Sequence, residues 1–118
     1  MSTLNVANIS DGTDTVGTGY VVNGSAKAYG HSNGIGTVLS TTLNVWSLTD
    51  VAVGKRQFNL TSAMSSTQSS SFGQNEGGNI NAPYTTLSNT STLLLWQYNV
   101  SGVNTDYAGG AVAFGDLA

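Results

Sequence analysis

The stretch Arg56-Gln57-Phe58-Asn59-Leu60-Thr61 alternates residue by residue, with Arg56, Phe58 and Leu60 on one side and Gln57, Asn59 and Thr61 on the other. Side chains alternate in this way only along an extended chain, so the stretch predicts a half-buried β-strand. No helical periodicity persists over ten residues anywhere in the sequence. Residues 92–100 repeat the strand pattern more strongly, with Leu93, Leu95 and Gln97 set against Leu94, Trp96 and Tyr98. A further strand is expected around residues 43–48, where Leu43, Val45 and Ser47 oppose Asn44, Trp46 and Leu48. Apolar residues on both sides predict that it is covered on both faces.

Residues 49–54 read as the hairpin loop joining the strands at 43–48 and 56–61. Residues 65–71, nearly pure Ser, Thr and Gln, read either as a linker or as a polar strand at a subunit contact. Residues 73–78 read as a loop, and Pro83 confines the following segment to a sheet edge. Residues 102–110 turn the chain and Ala111-Val112-Ala113-Phe114 closes it. The resulting expectation is an all-β fold, a β-sandwich or jelly-roll of about six strands.

The first part of the chain differs. Gly12, Gly17, Gly19, Gly24, Gly30, Gly34 and Gly36 interrupt every short apolar piece there, which argues against a helix. Leu4, Val6 and Ile9 are expected to anchor an extended arm. Tyr20-Val21-Val22 reads as a short strand ended by the Asn23-Gly24 turn signal. Only Ser25-Ala26-Lys27-Ala28 tolerates a helix. The division expected is a Gly-rich arm over 1–36, which packs on a neighbouring subunit or a larger assembly, and a sandwich over 37–118.

Only 8% of the residues are charged, against about 25% in ordinary soluble domains. Gly, Ser, Thr and Asn fill the gap, yet 39% of residues are hydrophobic, so the chain is expected to fold rather than stay disordered. Scarce charge suits a surface buried against copies of itself. Leu93, Leu95, Trp96 and Tyr98 are the residues expected at such a subunit contact. Lys27, Lys55 and Arg56 are too few to track a phosphate backbone, which argues against nucleic-acid binding. No apolar run exceeds four residues, as at Leu93-Leu94-Leu95-Trp96, which argues against membrane insertion by a helix, and the N-terminus has no signal-peptide pattern.

The chemistry expected is sparse. His31 is the only histidine, there is no cysteine, and the six acids show no paired spacing. Neither a metal site nor an acid–base pair is expected, and His31 reads as a solvated loop residue. Asp11-Gly12-Thr13-Asp14 could offer oxygens to calcium but reads better as a turn. Gly34-Ile35-Gly36 lacks the context of a phosphate loop. No catalytic residue, metal or cofactor is therefore expected. Tyr84 and Tyr107, with Asn75 and Asn79, are the candidates for an exposed contact patch.

Three stretches resemble a recurring module of tailed-phage fibre proteins, known especially from phages of marine bacteria. They are Asn23-Gly24-Ser25-Ala26-Lys27-Ala28-Tyr29, then Leu43-Asn44-Val45-Trp46-Ser47-Leu48-Thr49-Asp50, then Phe58-Asn59-Leu60-Thr61-Ser62-Ala63-Met64. Order and rough spacing hold from residue 23 to residue 64. Tyr29 stands where the module usually has Trp, and beyond Met64 only the strand pattern matches. The resemblance implies a virion protein assembled in the host cytoplasm, a homotrimer that meets other virion proteins through its arm and a host-surface glycan or protein through its loops. A head fibre or capsid-decorating protein is the alternative expectation, and a carbohydrate-processing enzyme a remote one.

Overall fold

The structure, a computed structural model, describes residues 1–33, 38–76 and 82–118. Along these residues run β1 (Asn8–Ser10), β2 (Thr15–Gly17), α1 (Thr18–Gly24), β3 (Ala26–Ser32), β4 (Leu39–Leu43), β5 (Val45–Ala52), β6 (Lys55–Leu60), β7 (Ser70–Asn75), β8 (Tyr84–Asn89), β9 (Thr92–Trp96) and β10 (Gly109–Phe114). The fold is all-β and sandwich-like. One antiparallel sheet has the order β4-β3-β10-β7 and the other β5-β6-β9-β8, while β1 and β2 pair as a separate hairpin.

The core is asymmetric. The second sheet turns Val45, Phe58, Leu60, Leu87, Leu93 and Leu95 inward, whereas the first contributes Ala28, Ala111 and Ala113. Gly30 and Gly73 continue this small-residue face: a Cβ on Gly73 would fall 2.8 Å from Leu95 Cδ1. Large side chains of one sheet thus fill the space left by small ones of the other, which is how facing layers reach close packing. Met64 closes one end of the core, its N–H donating to the Thr90 carbonyl at 2.7 Å.

Several sequence expectations are corrected here. The strand expected over 43–48 is two strands in different sheets. β4 ends at Leu43, and Asn44, with φ +55°, turns the chain into β5 of the other sheet. Asn tolerates this left-handed conformation better than most residues. Its side chain also holds the corner, with Nδ2 donating to the Ser62 carbonyl and Oδ1 accepting from the Ser62 N–H. Trp46 is consequently exposed rather than covered. β5 extends to Ala52, so only Val53 and Gly54 remain of the six-residue loop expected there. Gly73 and Asn75 lie in β7, and Gly109 and Gly110 in β10, where the two strands pair and the close approach of neighbouring elements leaves no room for side chains at Gly73, Gly109 and Gly110.

The N-terminal region also differs. Residues 26–32, expected in the arm, form β3 and pair with both β4 and β10. Tyr20, Val21 and Val22 lie in α1 rather than in a strand, despite the local glycines. The helix is held at its C-terminal end, where otherwise unpaired carbonyls would face solvent. The Ser25 N–H donates to the Val21 carbonyl at 3.1 Å, and the Lys27 ammonium donates to the carbonyls of Val22 and Ser25. Pro83 immediately precedes β8, an edge strand, as expected.

Candidate functional site

Antiparallel pairing gives the sandwich two unlike ends. Ala26, where the chain enters the first sheet, pairs with Phe114, where it leaves. At the other end lie Ser32, Asn75 and Gly109 of the first sheet and Lys55, Tyr84 and Trp96 of the second. Gln97 joins the two sheets there, its Nε2 donating to Asn75 Oδ1 at 2.7 Å.

This second end has a polar interior. Arg56 is wholly buried and donates through Nη1 to Ser32 Oγ at 2.8 Å and to the Tyr107 carbonyl. A buried guanidinium is tolerated only where its donors are satisfied. Asp106 Oδ1 accepts the Gly54 N–H at 2.7 Å, which ties the β5–β6 turn to the segment following β9. The hairpin turn and the segment 97–108 are therefore held as one surface.

On the outer side of the same end, three neighbours in register form an aromatic cluster. Lys55 Nζ stands 4.5 Å above the Trp96 ring, and Tyr84 meets Trp96 edge-on at 6.0 Å between centroids. Tyr84 is 55% exposed. Beside the cluster, hydroxyls and amides surround the outward Leu94: Gln57 donates to Asn59, and Asn59 donates to Ser47 and Thr49.

The candidate contact residues fare differently. Tyr84 is accessible, as the first residue of β8. Tyr107 is half-buried, and Asn75 turns its amide inward onto Gln97 instead of outward. Asn79 lies outside the described residues, as do Gly34, Ile35 and Gly36. The expected subunit contact is corrected at Leu93 and Leu95, which are wholly buried in the chain's own core and present nothing to a partner. Trp96 and Tyr98 are each half-buried or better covered, with Trp96 on the outer face of the second sheet.

A surface that sequence reading missed is the outer face of the first sheet. Leu43 pairs with Tyr29, Tyr29 with Val112, and Val112 with Phe72, so one apolar row crosses all four strands. Phe114 adjoins it, edge-on to Phe72 at 6.4 Å. Phe72 is 63% exposed, and a groove of about 310 Å³ runs beside it over Gly110, between His31, Gln74 and Val112. Each strand contributes only one or two residues to this row, so no local apolar run announces it.

His31 is corrected from a solvated loop residue to a member of β3. Its Nε2 is 2.7 Å from Glu76 Oε1 and its Nδ1 is 2.6 Å from Ser40 Oγ. Ser40 falls where the β3–β4 register shifts, a bulge that re-aims its side chain. The hydroxyl also lies 3.2 Å from the His31 carbonyl, so its single proton has two acceptors within reach. All three residues are partly exposed, and together they fasten edge strand β4 and the end of β7 to β3.

The Asp11–Asp14 segment is the β1–β2 turn. Asp11 Oδ1 accepts the N–H groups of Thr13 and Asp14, both at 2.9 Å. Those bonds, Asp14 first, hold the Asp11 carboxyl below its ordinary range. Among the described residues no group of three His, Cys, Asp or Glu converges as metal ligands, and no helix is long and apolar enough to cross a membrane. Comparison of the chain with protein-family models, with curated proteins and with solved structures finds no match.

Proposed function

We propose that this chain is a non-catalytic bacteriophage virion protein, a homotrimeric module of tail-fibre type that attaches the particle to a host surface. The observation that carries the reading is the polarity of the sandwich. The strands by which the chain enters and leaves share one end, while the braced loops and the Tyr84–Trp96–Lys55 cluster occupy the other. An anchored module with that arrangement presents its aromatic end outward. Exposed tyrosine over a rigid sheet offers large contact area at small entropic cost, and amides and hydroxyls beside it suit a glycan or a polar protein surface.

The test is binding of labelled protein to susceptible cells and competition with infection. Tyr84→Ala is expected to weaken binding roughly tenfold, the loss of about 1.4 kcal/mol typical of an aromatic anchor. Absence of binding by the unmodified protein, or full binding by the variant, defeats the attachment reading. A capsid-decorating role is the second reading, favoured by segment 1–24, in which no residue is buried although Leu4, Ile9, Tyr20, Val21 and Val22 lie there. Immunogold labelling of virions separates the two, because decoration places many copies over the head and a fibre places few at the tail.

A further inference from the structure

We infer that segment 1–24 of one copy lies across the outer face of the first sheet of the next, so that three copies close a ring by handing arms around it. The inference rests on the self-associating reading above and specifies how the copies meet.

Two apolar surfaces of the same chain lack a partner. No residue of 1–24 is buried, although Leu4, Ile9, Val16, Tyr20, Val21 and Val22 lie there, and Tyr20 is 80% exposed. A two-stranded hairpin and a seven-residue helix are each marginal in water without a surface to pack on. The second surface is the row Leu43–Tyr29–Val112–Phe72 with Phe114. Contiguous exposed apolar area of this kind marks an interaction site.

The junction between them directs the arm outward. Ser25 alone separates α1 from β3, and Lys27 grips the Val22 and Ser25 carbonyls across it. With no slack at that point, the arm does not fold back over its own sheet, and Tyr29 and Phe72 stay open to another copy.

Size and charge agree. Four strands about 4.8 Å apart, each about six residues long at roughly 3.3 Å per residue, make a face about 20 Å on a side. A helix of about 10 Å and a hairpin of about 10 Å span it end to end. Each copy would give one arm and receive one, burying on the order of 800 Å² per protomer, the usual size of a specific interface. Asp11 and Asp14, at the hairpin tip, are the only charged side chains in 1–24, so the arm itself brings little charge to the face, and His31 and Glu76 lie beside the apolar row rather than within it. A head-to-tail contact of this kind closes into a ring when its rotation permits.

The test uses the full chain, which contains no cysteine, so two introduced thiols are the only ones. Val22→Cys in α1 and Phe72→Cys in β7 are combined and treated with a short bis-maleimide. Covalent dimers and trimers on a denaturing gel are expected from the double variant, and monomers from each single variant. Val112→Asp, which alters only the outer face, is expected to keep the β circular-dichroism spectrum and to shift sedimentation from trimer to monomer. Cross-linking confined within one chain overturns the inference, because the arm then covers its own sheet. A trimer that neither cross-links nor responds to Val112→Asp overturns the arm contact while leaving self-association intact. A monomeric unmodified protein overturns both.

Discussion

The Phe58 ring lies directly against the backbone of Gly30 across the sandwich: a Cβ at Gly30 would fall 2.4 Å from Phe58 Cδ1. The closeness of the two sheets at their centre depends on that missing methyl group. Gly30→Ala is expected to destabilise the protein by about 1–3 kcal/mol, because overpacking outweighs the backbone-entropy gain of alanine. Phe58→Leu in the same chain should recover part of the loss, so the double variant is more stable than the sum of the singles. Urea denaturation of the four proteins measures the coupling, and simple additivity would contradict the packing described.

Asn44 turns the chain from one sheet into the other with φ +55° and two side-chain bonds to Ser62. Asn44→Ala loses both bonds and leaves alanine in a left-handed conformation, an expected cost of about 2–3 kcal/mol. Asn44→Gly loses only the bonds and is expected to cost about half as much. Equal midpoints for the two variants in thermal melts would show that the corner does not depend on backbone conformation.

The Asp11 carboxyl is held below its ordinary 3.8 by the N–H groups of Asp14 and Thr13. A lowered value in the folded chain means that the carboxylate stabilises the turn above the ordinary value and ceases to do so as pH falls through the folded one. Amide exchange at Thr13 and Asp14 is therefore expected to show full protection of the turn at neutral pH, lost only below about pH 4. Asp11→Asn should remove that pH dependence, while the rest of the sandwich keeps its protection.

The Ser40–His31–Glu76 cluster joins three strands at an exposed face. His31→Ala is expected to cost about 1 kcal/mol, the usual scale of a hydrogen-bonded contact at a partly exposed site. The cluster is also expected to be chemically silent, with activated-ester hydrolysis by the unmodified protein equal to that of Ser40→Ala. Turnover lost on that substitution would instead identify Ser40 as a nucleophile and remove the non-catalytic reading.

How far this structure can be read in advance depends on the range of the signal. The strand at Arg56–Leu60 and the start of β9 follow from alternation within a few residues, and their faces emerge as expected. The same local logic failed at Leu93 and Leu95: apolar side chains mark burial, but periodicity does not say whether the cover comes from the chain itself or from a partner. Tyr84 was legible as an accessible aromatic beside Pro83, whereas Asn75 looked available and is turned onto Gln97. His31 met Glu76 only because β3 and β7 both flank β10, a pairing across 45 positions that no motif spacing encodes.

By itself, the sequence determined that this chain is all-β, poor in charge, and equipped with a glycine-rich N-terminal segment holding short apolar pieces. Those properties belong to residue types and to a two-residue period. Only the tertiary structure decided where the segment ends, with β3 claimed by the first sheet, and which apolar side chains stay outside. Strand order and register align Leu43, Tyr29, Val112 and Phe72 into one exposed row. Each of those residues is unremarkable in its own strand. The row exists because four strands distant in sequence lie side by side, and that adjacency is a property of the whole fold.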